Sequence, residues 1–195
     1  TKLCVDEIVH GGEDILARTI REVKELPIDA LFVISACGPE IVGDDIAAVC
    51  ESLQPEMKFR LVPIASPGFR GSLYDGIDIA LDTILKQLVD STVEKVPGSI
   101  CLIAPHANAN PTWPADLAWV KQVLMRMNIP VVSTLTYRTP LSDIFNSASA
   151  ETCLVLSHDA GQKAADYLSA SFGLDQVCKG IPLPIGMTNT QRWLS

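Results

Sequence analysis

Apolar residues recur along the chain at two alternating periods. Residues 13–26 place Ile15, Leu16, Ile20 and Val23 at helical spacing, whereas residues 30–35 form an unbroken apolar run of strand length. Residues 40–53 return to the helical period through Ile41, Val42, Ile46, Val49 and Leu53, and this spacing predicts one continuous helix. Residues 59–65 follow as a strand, and residues 72–89 as a long helix whose apolar side carries Ile77, Leu81, Ile84, Leu85 and Leu88. Pro97 and Gly98 then close a polar stretch, a breaker pair that marks a boundary between domains.

The second half repeats the rhythm. Strands are expected at 100–104, 130–135 and 152–156, and helices at 115–127, 140–146 and 161–172. Residues 181–185 read as extended and 189–194 as a last helical turn. Buried apolar strands alternating with helices give an α/β fold, with Rossmann-like parallel sheets and helices on both faces. The expected division is residues 1–96 and 97–195. Ligands of such folds sit beyond the carboxyl ends of the strands, so chemistry is sought after Ser35, Ala65, Ala104, Leu135 and Leu156.

Composition narrows the field. The 195 residues are 48% hydrophobic and 19% charged, which excludes a disordered chain. A net charge of −8 with no basic stripe excludes nucleic acid as a partner. The apolar runs fall well short of the ~20 residues a spanning helix needs, so no membrane role is expected. The opening Thr1-Lys2-Leu3-Cys4 has no apolar signal region and no Met. The expectation is a cytoplasmic protein, read here as a piece of a longer chain.

The six cysteines (Cys4, Cys37, Cys50, Cys101, Cys153 and Cys178) show no CxxC or zinc spacing. Five are read as reduced, mostly buried thiols. Cys37 differs, because Ser35-Ala36-Cys37-Gly38-Pro39-Glu40 places it between a strand end and a helix start. Unpaired N–H groups there favour an anion, and a thiolate is the form that acts as nucleophile or metal ligand. An ordinary loop thiol fits the same position equally well. Gly43, inside the expected helix, is read as a packing contact, and Asp44 and Asp45, in preference to a carboxylate pair, either as solvated or as anchors for a neighbouring loop. Ser66-Pro67-Gly68-Phe69-Arg70-Gly71-Ser72 makes a tight loop able to turn backbone N–H groups toward an anion. There is no GxGxxG, Walker motif or GxSxG, so nucleotide and hydrolase readings have no support. The polar loop at Pro105–Pro111 has binding character, whereas the neighbours His158 and Asp159 point apart and cannot form a dyad.

The run from Cys37 through Gly43-Asp44-Asp45-Ile46 resembles the segment following a cluster-ligand cysteine in nitrogenase component 1 proteins. Asp6–Glu13 resembles their Val-Phe-Gly-Gly segment, and Ser66–Ser72 their next strand-end loop. Residues 181–194 resemble a segment of the β-type subunits. The resemblance implies Rossmann-like domains, pairing with a related component 1 subunit (αβ, then α2β2), and an ATP-dependent iron protein as electron donor. It also implies an iron–sulfur cluster at the pair's interface, with Cys37 as a metal ligand and Gly68 and Gly71 lining the cofactor site. One cysteine cannot hold a cluster, and the remaining ligands are expected upstream of Thr1, so this piece alone is expected to bind no intact cluster.

Two departures shape the functional expectation. Gly68 replaces a cluster-contacting Ser of the β-type subunit, and Asp159 stands nearest the place of the α-type cofactor cysteine, which argues against dinitrogen reduction. The reading is therefore a subunit of a nitrogenase-like two-component oxidoreductase that helps hold a cluster for electron transfer. The alternatives are a non-catalytic scaffold for metallocofactor assembly and a cluster-free binding relative. Cys37 is expected to be alkylated faster than Cys101 or Cys153; equal labelling of the three, read by peptide mass spectrometry, would remove its special standing.

Overall fold

The computed structural model describes residues 10–89, 93–104, 112–157, 159–177, 184 and 186–195. The chain divides into two compact units, Thr1–Ala80 and Leu81–Ser195.

In the first unit, α1 (Glu13–Glu22), β1 (Ala30–Ile34), α2 (Cys37–Val42), α3 (Ile46–Leu53) and β2 (Arg60–Ile64) follow in order, and α4 (Leu73–Leu88) begins. Strands β1 and β2 pair in parallel from Ala30↔Arg60 to Ile34↔Ile64. Side chains alternate across the pleat. Leu31, Val33 and Leu61 therefore join Leu16 and Ile20 of α1 and Val49, Cys50 and Leu53 of α3 in one core. Phe32 and Ile34, on the opposite face of β1, are 37% and 63% exposed. The link from α3 to β2 is tied by Gln54, which donates to the Phe59 carbonyl and accepts from the Leu61 N–H, both at 2.9 Å.

The single helix expected over residues 40–53 is two helices. Gly43 adopts the left-handed conformation (φ 95°), and its N–H and that of Asp44 both close on the Pro39 carbonyl at 2.9 Å. Only glycine enters this region at little cost, so α2 stops there. A Cβ at Gly43 would meet nothing within 4 Å, so the residue is a terminator and not a packing contact. Asp45 then caps α3 by accepting from the Ala48 N–H at 2.9 Å.

Of the roles open to it from the sequence, Asp44 takes that of an anchor. Its two carboxylate oxygens accept from the Gly12 N–H, each at 2.9 Å, at the start of α1. Glu13 of α1 reaches back to accept from the Asp45 N–H at 2.8 Å. The two helix starts thus cap each other across 32 positions, in the manner of a capping box. Gly11 sits at φ 97°, and a Cβ on it would fall 2.9 Å from the Asp44 carboxylate. A side chain there would be both strained and in collision.

The second unit is a four-stranded parallel sheet in the order β4-β3-β5-β6, formed by β3 (Ile100–Ile103), β4 (Val131–Leu135), β5 (Thr152–Val155) and β6 (Asp175–Val177). The connecting helices are α5 (Trp113–Arg126), α6 (Leu141–Asn146) and α7 (Gln162–Phe172), and α8 (Gly186–Leu194) ends the chain. Ile100, Leu102 and Leu154 pack with Leu117, Val120 and Leu124 of α5 and Trp193 of α8. Cys101, Ile103 and Cys153 alternate to the other side, and α6 and α7 pack on β4 and β5. The strand order reverses between β3 and β5, which are direct neighbours although β4 intervenes in sequence. In open α/β sheets this is a switch point where ligands collect.

Element boundaries also differ from the sequence reading: α1 ends at Glu22, short of residue 26, and α2 already starts at Cys37. Helix α5 starts at Trp113, with Pro114 in its first turn; α8 starts at Gly186; and the short, largely exposed β6 carries no apolar alternation that would have announced it. Residues 105–111, His158 and the stretch 181–183 with Ile185 lie outside the described residues. Asp44→Ala is expected to speed amide exchange through α1 about tenfold, equivalent to roughly 1.4 kcal/mol. Exchange at the wild-type rate would show that other contacts hold the start of α1.

Candidate functional site

The site is built on the carboxyl ends of β1 and β2. β1 is extended by one bond, from the Ser35 N–H to the Ile64 carbonyl at 3.0 Å. Ala36 remains extended (φ −105°, ψ 168°) and serves as the N-cap, so Cys37 is the first residue of α2. Pro39 fits the first turn because its missing N–H has no carbonyl to serve there. Cys37 is exposed.

From β2, Ser66 and Pro67 lead into a 3-10 turn at Gly68–Arg70. A Cβ built on Gly68 would stand 3.4 Å from the Cys37 Sγ. Two of the three residues singled out from the sequence are thus brought together from positions 31 apart. The absent side chain leaves backbone directly beside the sulfur. Arg70 reaches α2 as well: its Nη2 donates to the Glu40 Oε2 at 3.2 Å.

Gly71 stands elsewhere in the loop, against Asp75. A Cβ on it would fall 2.6 Å from the Asp75 Oδ2. That oxygen accepts from both the Ser72 N–H and the Ser72 hydroxyl at 2.7 Å. The Asp75 N–H donates back to the Ser72 Oγ at 3.3 Å, so the pair boxes the start of α4. The Ser-x-x-Asp spacing was the sequence signal for this box. It also occupies an N–H that the loop was expected to offer an anion, and the Arg70 N–H is likewise engaged by the Pro67 carbonyl at 3.1 Å.

Apolar side chains on the elements that meet here are uncovered. Ile34, Ile41, Phe69 and Leu73 are 63%, 75%, 56% and 64% exposed. A groove of about 360 Å³ runs beside them, lined by Ile34, Pro67, Gly68, Leu73, Ile77 and Ala80 among others. Exposed apolar surface of this extent is characteristic of an interaction face.

The other described cysteines differ in kind. Cys50, Cys101 and Cys153 are 2%, 0% and 0% exposed. Burial pushes the Cys50 thiol up to about 11. The Cys153 thiol is raised by its hydrogen bond with Cys101, its register partner on β3, and then by burial. Such thiols stay protonated and inert. Cys4 and Cys178 lie outside the described residues. Among the described residues no group of three or more His, Cys, Asp or Glu is placed to hold a metal ion. Toward an iron–sulfur cluster, the described residues therefore offer one accessible thiol, which fits a single ligand and not a complete site. Among these residues no helix is long and apolar enough to cross a membrane.

The sequence model of the family described as nitrogenase component 1 type oxidoreductase matches residues 1–195. The chain is 29% identical to the nitrogenase iron-molybdenum cofactor biosynthesis protein NifE of Clostridium pasteurianum, over 91% of this chain and 38% of that protein. It is 28% identical to the nitrogenase iron-iron protein beta chain of Rhodobacter capsulatus, over 95% of this chain and 43% of that one. The chain thus spans roughly two fifths of these relatives. The solved structure "Nitrogenase Cp1 at pH 6.5" superposes with a TM-score of 0.76 at 24% identity, covering 90% of this chain and 34% of that one, and shows the same fold. Matched by the family model along its whole length, this chain belongs to the nitrogenase component 1 type oxidoreductases.

Proposed function

We propose that this chain is the Cys37-bearing part of a component 1 type subunit, in which the Cys37 thiolate is one ligand of an iron–sulfur cluster shared with a related subunit. The observation that carries this reading is the exposed Cys37 Sγ facing a side-chain-free Gly68 within an uncovered apolar surface. A lone thiolate needs further ligands from elsewhere, and apolar surface around it needs a cover; one partner subunit meets both demands. When bound, such a cluster would supply one-electron storage and transfer.

The chain's own contribution is positional. The extended Ala36 and the start of α2 hold the sulfur at the strand edge, and Gly68 leaves room for a bulky group beside it. Gly71 lets the loop pass close over Asp75 into α4, bounding the cofactor side of the groove. The full assembly is proposed to be an α2β2 arrangement in the cytoplasm that receives electrons from an ATP-dependent iron protein.

A second reading, a scaffold for metallocofactor assembly, is supported by the similarity to NifE of Clostridium pasteurianum. Both readings place the cluster at Cys37 and differ in its fate. ATP-dependent electron uptake from an iron protein over many turnovers supports the oxidoreductase. Release of the metal group to an acceptor without turnover supports the scaffold.

The test is iron and acid-labile sulfide content with EPR on the full-length protein, purified anaerobically with its neighbouring subunit. Cys37→Ala is expected to lose or alter the cluster signal while the subunits still co-purify. A cluster indifferent to this change, or no cluster in the wild type, would overturn the assignment.

A further inference from the structure

We propose that Glu40 and Arg70 form an electrostatic clamp that holds the Pro67–Gly71 loop over the Cys37 sulfur, making them positioning residues for the group this thiol ligates. The last clause rests on the ligand role proposed above; the clamp itself does not.

Cys37 and Glu40 lie three residues apart on α2 and therefore share one side of that short helix. Gly68 and Arg70 lie two apart in one 3-10 turn. The same two elements thus lie together at two points, Gly68 beside the Cys37 Sγ and Arg70 bonded to Glu40. Two contacts fix an orientation that one leaves free to pivot. The residue between them, Phe69, is 56% exposed and supplies little packing to hold the turn down.

The pair is also unequal in burial. The Glu40 side chain is only 12% exposed, whereas that of Arg70 is 54% exposed. A carboxylate so withdrawn from water needs a cation or donors, and Arg70 supplies one. The other ion pairs of this unit, Arg21–Glu56 and Lys58–Glu25, have both partners well exposed. Pairs of that kind contribute little. Covering Phe69 and Ile41 would lower the local dielectric and strengthen the Glu40–Arg70 attraction. The clamp therefore tightens when the apolar face is buried.

The clamp is tested on the cluster-free, full-length protein by the rate of iodoacetamide labelling at the Cys37 peptide. Arg70→Ala and Glu40→Gln are each expected to raise the rate by about threefold to fivefold at low ionic strength, the scale of a partly exposed ion pair. Salt near 1 M should bring the wild type toward the variants, because screening acts on the same attraction. The reversed pair, Glu40→Arg with Arg70→Glu, should return the rate to within about twofold of wild type, an outcome that loss of local packing would not give. Lys58→Ala, which breaks an exposed pair in the same unit, should leave the rate unchanged. Unchanged rates in both single variants, or no recovery in the reversed pair, would overturn the clamp. Because labelling is read without metal, a clamp that passes while Cys37→Ala leaves the cluster intact sinks only the ligand assignment. A cluster lost in Cys37→Ala with unmoved labelling rates sinks only the clamp.

Discussion

The parallel, in-register pairing of β1 with β2 is the constraint on which the site depends. Ile34 and Ile64 are register partners, so the two strands finish side by side at one edge. Parallel strands also force a crossover, and here α2 and α3 provide it. The loops leaving the two strand ends therefore start within one strand spacing of each other. Cys37 is three residues beyond Ile34 and Gly68 is four beyond Ile64. Their meeting follows from register alone. A slip of one residue would move every side chain of β1 to the opposite face, exposing Leu31 and Val33 and drawing Ile34 into the core.

Register places the sulfur at the edge, and the Gly43-Asp44-Asp45 corner decides how much helix follows it. A longer α2 would carry the chain away from α1. The left-handed turn at Gly43 instead brings Asp44 back onto Gly12 and sends α3 under the sheet, where Val49, Cys50 and Leu53 fill the core. The corner thus serves both sides of β1. On the core side it seats α3 against α1. On the open side it keeps α2 to six residues, leaving Ile41 and Val42 on the surface. The carboxylate that anchors the corner is coupled to the two residues before α1: Gly11, lacking a side chain, leaves room for Asp44, and the Gly12 N–H donates to it.

The α/β architecture was legible in the sequence because buried strands and amphipathic helices carry different periods, and both periods are strong here. Leu102 and Leu154 fall where the pattern placed them, as does the burial of Cys101 and Cys153. The break at Gly43 was hidden because Ile41, Val42, Ile46 and Val49 keep the helical spacing across it. The local chemistry, Gly followed by Asp at a cap position, was the better guide. Strand β6 escaped for the opposite reason: Asp175–Val177 is half-exposed at the sheet edge and needs no apolar alternation. At the site, Cys37 stood out through local grammar, and Gly68 through the shape of its loop. Their contact and the Glu40–Arg70 pair did not, since residues about 30 apart meet only once strand register is known.

The distribution of thiols separates structural cysteines from the candidate ligand on physical grounds. Cys101 and Cys153 face each other on neighbouring strands with no exposure, where each behaves as a small apolar group with a weak donor. The hydrogen bond with Cys101 disfavours the Cys153 thiolate, and burial adds to the effect. Cys50 is held protonated by burial alone. Cys37 differs in its placement: it is exposed, it opens a helix, and Gly68 across the loop has no side chain. A cysteine in that position contributes nothing to the core, and the fold would form around Ser or Ala there as readily. What distinguishes it is an exposed thiol carried by elements whose Ile34, Ile41, Phe69 and Leu73 are exposed as well. Exposed apolar side chains grouped in this way mark a face that another surface covers. One covering surface would account for the exposed thiol and the exposed apolar side chains together.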